Sequence, residues 1–253
     1  MKISTIQLEH SDRNTKQERI ENVKNIIKSI DNTDLILLPE LWNTGFFSYD
    51  KYSENAETIY GETVSTLSTL ARDKKIHIFT GSFIEKRNSK LYNTAVLLTP
   101  DGNIALKYSK IHLFGDERKY LTPGDEIVNG ETALGNIGIS ICYDLRFPEL
   151  YRKMSQNGAQ IFLSCYALPS ERLNHWQILY PARALENQAI SISCGCAGTN
   201  EGIKFAGHSM VIDPYGEIKN EAGSDGSVIN SEIDINSVIE YRNNFPVLAD
   251  RRI

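Results

Sequence analysis

The sequence predicts a layered α/β sandwich built on mixed β-sheets, and three observations carry that expectation. Amphipathic helical segments alternate with short buried strands, the pattern of sheets covered by helices. Hairpin signals are interleaved with the alternation, so the sheets are mixed and not purely parallel. No internal repeat, low-complexity tract or linker rich in Pro, Gly and Ser breaks the 253 residues, a length that one large α/β domain fills. A single domain over 1–253 is expected.

Each element follows from its own residues. KISTIQLEH (2–10) alternates as a strand does, and QERIENVKNIIKSI (17–30) sets Ile20, Val23, Ile26, Ile27 and Ile30 at helical spacing. DLILLPE (34–40) returns as a short buried strand, and ETVSTLSTLARDKK (62–75) is a second helix. IHIFTGSFIEK (76–86) and LYNTAVLLTPDGNIALKYSK (91–110) are β segments, with turn signals at Asn88-Ser89 and Asp101-Gly102. LGNIGISIC (134–142) is uncharged and rich in β-branched and glycine residues, a buried strand that ends at a cysteine. Pro148, with Glu149 beside it, suits the first turn of a helix through LYRKM. AQIFLSCYA (159–167) is a strand, HWQILYPARALENQ (175–188) a helix and AISISCGCAG (189–198) a strand. GHSMVIDPYGEI (207–218) turns at Asp213-Pro214-Tyr215-Gly216, and INSEIDINSVIEYR (229–242) closes the chain.

Composition narrows the function. A hydrophobic content of 41% with 23% charged residues is ordinary for a water-soluble globular protein. A formal net charge of -5 without a basic cluster argues against nucleic acid as a partner. No run approaches the length of a membrane span, and the amino terminus lacks the apolar segment of a signal peptide, so a cytoplasmic protein is expected. Cysteines 142, 165, 194 and 196 have neither zinc-ribbon spacing nor the density of a secreted scaffold, and are read as reduced thiols. Cys194-Gly-Cys196 is read as part of a buried strand rather than a metal or redox pair.

Three polar residues stand where strands run out. Cys142 sits on a strand-to-helix corner, where α/β proteins place ligands; on that stretch alone a nucleophile and a packed core thiol are equally supported. Glu40 follows four aliphatic residues and a proline, and Lys110 lies in an otherwise strand-like stretch, each with the ordinary alternative of a solvated charge. Together they fit one chemistry. A carboxylate takes the thiol proton, and an ammonium lowers the cost of the thiolate and holds the oxyanion formed when sulfur attacks a carbonyl or nitrile carbon.

LLPELWNTGF, KIHLF and ICYDLRFPEL, in that order, together with YNTAVL, PARALENQ, GHSMVIDPYGEI and YRNNFP, make the chain resemble the nitrilase superfamily of carbon–nitrogen hydrolases over its full length. The resemblance implies an α-β-β-α four-layer sandwich with two mixed β-sheets, and a homodimer in which two such subunits stack. PARALENQ and the closing segment are the expected contact. It also implies Glu40 as general base, Lys110 as oxyanion cation, Cys142 as nucleophile and the backbone N–H of Tyr143 in the oxyanion hole. The family's second glutamate is assigned to Glu117 in GDERKYLTPGDE, with Asp116 and Glu126 as neighbouring carboxylates. The chemistry runs through a thioester and requires no metal and no organic cofactor.

The segments YDLRFPEL, NHWQILYPARALENQ and AGHSMVIDPYGEI are most similar to the omega-amidase branch, which implies a small-molecule amide substrate, a dicarboxylate monoamide such as 2-oxoglutaramate. Deaminated-glutathione amidase and other amidases or carbamoylases of the family are the alternatives. A Cys-His hydrolase with His175 or His208 as base is a rival within enzymology, with His112 expected on a strand in a structural role. A catalytically silent binding protein of the same fold is the rival from another class. The residues that bind the far end of the substrate are unassigned, with Arg146 and Arg183 candidates by residue type alone.

Overall fold

A computed structural model describes residues 1–252. The chain runs β1 (Lys2–Gln7), β2 (Glu9–His10), α1 (Lys16–Ser29), β3 (Leu35–Leu37), a short α2 (Tyr52–Asn55), α3 (Glu62–Lys74), β4 (His77–Arg87), β5 (Lys90–Leu98) and β6 (Ile104–Ser109). It continues through α4 (Glu117–Tyr120), β7 (Asn129–Thr132), β8 (Gly135–Ile141), α5 (Pro148–Gln156), β9 (Ile161–Tyr166), α6 (Leu173–Asn187) and β10 (Ile190–Gly195). The remainder is β11 (Ala197–Asn200), β12 (Ile203–Lys204), β13 (Met210–Ile212), β14 (Ile218–Glu221), β15 (Ser227–Glu232) and α7 (Asn236–Asn244).

Two six-stranded sheets form, ordered β15-β1-β3-β4-β5-β6 and β14-β13-β10-β9-β8-β7. In each, three central strands run parallel, β1-β3-β4 in one and β8-β9-β10 in the other, and antiparallel strands flank them. Strand alternation builds the layers. Ile3, Leu35, Leu37, Phe79 and Leu97 of the first sheet pack in one core with Ile137, Ile139, Ile141, Ile161 and Leu163 of the second. The opposite residues of the first sheet, Ile6, Ile36, Leu38, Ile78 and Val96, pack with Ile20, Val23 and Ile27 of α1 and Val64, Leu67 and Leu70 of α3. On the far side, Tyr151 and Met154 of α5 and Trp176, Tyr180 and Ala184 of α6 cover the second sheet. The result is the α-β-β-α sandwich with two mixed sheets.

Local chemistry explains the element ends. Thr15 and Glu18 form a reciprocal capping box on α1. Asn88 and Ser89 both take positive φ, 49° and 64°, in the two-residue hairpin between β4 and β5. Pro148 occupies the first turn of α5, where its missing N–H costs nothing. Gly138 lets α5 approach β8 closely, since a Cβ there would lie 2.7 Å from the Met154 sulfur. Helix α6 continues through Pro181, held by a buried face of Trp176, Tyr180, Arg183, Ala184 and Asn187 that outweighs one lost hydrogen bond.

Two details differ from expectation. The 189–198 stretch is two strands in different sheets, because after Gly195 the chain leaves β9 and pairs β11 with β2 in parallel and β12 antiparallel. The β segment expected to run on through 110 ends at Ser109, so neither Lys110 nor His112 lies on a strand. Instead Lys110 is fixed by its backbone, its N–H donating to the Asn93 carbonyl at 2.8 Å and its carbonyl accepting from Gly124 N–H at 2.8 Å.

Candidate active site

The site lies where β3, β6, β8 and β9 end. Beyond β3, Pro39 leads to Glu40, and Leu41 turns the chain through a positive φ of 44°. The Ser82 hydroxyl accepts the Leu41 N–H at 3.1 Å. Glu40, Lys110 and Glu117 are all fully buried. The Lys110 ammonium donates to Glu40 Oε1 at 2.7 Å and to Glu117 Oε2 at 2.8 Å. Glu40 Oε2 accepts the Ala167 N–H at 2.9 Å, and Glu117 Oε2 accepts the Phe114 N–H at 2.7 Å. Asn93 Nδ2 closes the ring, donating to Glu40 Oε1 at 2.9 Å and to Glu117 Oε1 at 3.1 Å. The lysine also lies 5.2 Å over the Phe46 ring.

Cys142 begins a 3-10 turn, Cys142–Arg146, with φ of +49°. A left-handed non-glycine residue costs on the order of 1–3 kcal/mol and must be held by its surroundings. Asp144 does the holding. Its fully buried carboxylate accepts from Ile141 N–H at 2.9 Å and Tyr108 O–H at 2.8 Å, and also from His112 N–H at 3.0 Å, with His112 Nδ1 at 2.8 Å. The far side of the turn is held by Arg183, whose Nε and Nη2 donate to the Leu145 carbonyl at 3.1 and 2.9 Å.

The electrostatics are those of one ammonium shared by two carboxyl groups. Burial alone would lower Lys110, but Glu117 and Glu40 hold its ammonium well above the usual lysine range, so it is charged. Burial pushes Glu117 up against the opposing pull of Lys110. Burial, and then the Glu40 charge, raise Cys142 well above the usual thiol range despite Lys110 and the Ala167 N–H. The adjacent ammonium thus eases the thiolate without offsetting burial.

Cys142 lines a narrow cleft of about 20 Å³ whose walls include Phe46, Phe114, Tyr143, Arg146, Arg172 and Trp176. The structure thus brings Glu40, Lys110, Glu117 and Cys142 together, with Tyr143 next to the cysteine. Asp116 pairs instead with Lys119 at 3.0 Å on the surface, and Glu126 is exposed. His175 is exposed against Arg146, and His208 Nδ1 meets Glu221 at 2.7 Å, so neither is hydrogen-bonded to Cys142. Arg183, a candidate for the far end of a substrate, is buried and consumed by Leu145 and Glu186. The Cys194 and Cys196 thiols face the carbonyls of Ile6, Leu37 and Glu40 as core groups. Sequence reasoning missed Asn93 and Asp144; an asparagine and an aspartate inside strand-forming and turn-forming motifs were the available signal.

Comparison with known proteins places the chain in a family. The carbon-nitrogen hydrolase family model matches residues 2–243. The 2-oxoglutaramate amidase of Paenarthrobacter nicotinovorans is 37% identical over 261 residues, covering 99% of this chain and 89% of that protein. The 2-oxoglutaramate amidase of Bacillus subtilis is 38% identical over 240 residues, covering 92% of each. The crystal structure of Nit3 from Saccharomyces cerevisiae, a member of branch 10 of the nitrilase superfamily, superimposes with a TM-score of 0.91 at 31% identity, covering 100% of this chain and 97% of that one. Matched by the family model over nearly its whole length and by relatives more than a third identical, the chain belongs to the carbon-nitrogen hydrolase family, hydrolases of carbon–nitrogen bonds other than peptide bonds.

Proposed function

We propose that this protein is an omega-amidase-like enzyme that hydrolyses the terminal amide of small dicarboxylate monoamides such as 2-oxoglutaramate, using Cys142 as nucleophile. The observation that carries the reading is the buried Lys110 ammonium held between Glu40 and Glu117 beside a thiol that opens to a cleft. The kinship with 2-oxoglutaramate amidases selects the substrate class.

Glu40 takes the thiol proton as sulfur attacks the amide carbon. A C–S bond forms and the carbonyl electrons move to oxygen, where Lys110 and the Tyr143 N–H stabilise the charge. Tyr143 is suited to this because the first N–H groups of a helical turn have no partner within it. Glu40 then passes its proton to the nitrogen, the C–N bond breaks, and ammonia leaves a thioester. Water attacks the thioester while Glu40 takes one of its protons; the second oxyanion collapses, the C–S bond breaks, sulfur regains a proton from Glu40, and the carboxylic acid departs and loses its remaining proton to solvent. Glu117 and Asn93 are positioning residues that hold Lys110 and Glu40.

The rest of the reading follows the family. The protein works as a homodimer, and the apolar surface of Ile178, Leu185, Tyr215 and Phe245, with 66%, 47%, 46% and 58% exposure, is the contact. One domain spans the chain, and four unpaired cysteines suit a reducing, cytoplasmic compartment.

Ammonia release over a panel of short amides tests the substrate assignment. Succinamate and 2-oxoglutaramate are expected to exceed butyramide in kcat/KM by about tenfold or more, the worth of one charge-assisted contact. Equal values would overturn the dicarboxylate reading, and preference for a deaminated-glutathione analogue would replace it.

A further inference from the structure

We infer that Arg172 is the specificity-determining residue that receives the distal carboxylate of the substrate. The inference rests on the dicarboxylate monoamide reading above and names the side chain that enforces it. Four arginines surround the elbow and its cleft, and three are already engaged. Arg183 holds the Leu145 carbonyl. Arg118 Nε donates to the Leu113 carbonyl at 3.1 Å. Arg146 lines the same cleft, but its Nη2 sits 3.1 Å from His175 Nδ1, beside the Tyr143 ring. Arg172 lines the same cleft as Cys142 and is half-buried there. Among the described residues its guanidinium makes no hydrogen bond and no ion pair, and its only partner is the Phe114 ring, 4.9 Å from its central carbon.

A half-buried guanidinium without an acceptor has given up part of its hydration and regained no hydrogen bond. A carboxylate docked in the cleft supplies what is missing, with a planar fork matched to two oxygens. The aromatic face of Phe114 fixes the plane of the fork without using its donors.

The backbone makes this placement rigid. Arg172 ends a 3-10 turn, Ser170–Arg172, with its N–H on the Pro169 carbonyl at 3.0 Å, and it caps α6. Pro169 is bridged to Phe205. Five residues earlier, the Ala167 N–H holds Glu40. One short segment therefore carries both a contact to the base and the anchor for the far end of the substrate, which sets a fixed span between reacting carbonyl and distal carboxylate. The charge balance points the same way. The buried site offers one ammonium to two carboxyl groups, so an anionic substrate entering it needs a cation at its outer end.

The test compares kcat/KM for succinamate and butyramide in wild-type protein, Arg172→Gln and Arg172→Lys, with 5-aminovaleramide added for Arg172→Glu. The succinamate-to-butyramide ratio is expected to fall on the order of 10- to 100-fold in Arg172→Gln. In Arg172→Lys it lies in between, because charge remains and the fork is lost. In Arg172→Glu the preference shifts toward the cationic amide. A ratio near one in the wild type would sink the substrate reading itself. A high wild-type ratio that survives in folded Arg172→Gln, or in Arg172→Lys and Arg172→Glu should the glutamine variant fail to fold, would overturn the role of Arg172 alone.

Discussion

Cys142 and Lys110 depend on one another in opposite ways. The thiol is a small side chain at 8% exposure, and removing its sulfur leaves the elbow's hydrogen bonds intact. Cys142→Ala is therefore expected to abolish ammonia release while thermal unfolding stays within a few degrees of wild type. Lys110 is different. Read from sequence, it is an oxyanion donor whose loss costs turnover more than folding. Fully buried between Glu40 and Glu117, it is also, among the described residues, the only cation they share at hydrogen-bond distance. Lys110→Ala leaves two carboxyl groups facing a vacated site, so we expect about 3–5 kcal/mol of lost stability by denaturant unfolding. Turnover should fall at least a hundred- to a thousandfold. Lys110→Arg should rescue neither, since a planar fork does not fit the place of a compact ammonium. Near-normal activity in either variant would remove Lys110 from the mechanism.

At the scale of elements, Asp144 joins the nucleophile's turn to the segment that carries Lys110. Tyr108 and His112, each two residues from Lys110, both bond its carboxylate, as does Ile141 just before the cysteine. Asp144→Ala strands at least two buried donors and is expected to cost about 3 kcal/mol or more. Its activity loss should exceed what partial unfolding explains when assayed well below the melting temperature. Wild-type kcat in that variant would show that the clamp is not needed. The elements themselves were legible wherever hydrophobic spacing was long and regular, as in α1, α3, β4 and β5, and where Pro148 marked a helix start. Lys110 read as a strand residue because ALKYSKIHLF keeps a β-like composition, while tertiary bonds to Asn93 and Gly124 end the strand at Ser109. Glu40, Lys110 and Cys142 were legible through motif order. Asn93 and Arg172 were not, because their significance lies in what they face: two carboxyl groups from distant segments, and an aromatic ring across a cleft.

For the whole molecule, assembly and pH response follow from surfaces and buried charge. Leu185 lies against the turn at Gly216, Tyr215 packs at a tilt on Tyr241 and Tyr241 stacks on Phe245, so these residues form one apolar strip. Ile178→Lys combined with Leu185→Lys is expected to convert a dimer to a monomer by light scattering; a wild-type monomer would exclude that contact. Acid sensitivity should trace in part to His10, at 6% exposure, where burial, and then the Arg19 charge, lower its pKa from 6.5 to about 4. Because the unfolded state binds the proton more readily, stability is full above pH 6.5 and is lost as pH falls toward 4. That difference corresponds to roughly 3 kcal/mol. His10→Asn should flatten the stability curve between these values, and an unchanged slope would count against it. Mass spectrometry of peptides from enzyme quenched during turnover of 2-oxoglutaramate tests for a Cys142 thioester formed from a dicarboxylate monoamide. An acyl adduct is expected on the peptide containing Cys142 and should disappear as substrate is exhausted; ammonia release with the adduct on Cys165, Cys194 or Cys196 would overturn the Cys142 assignment.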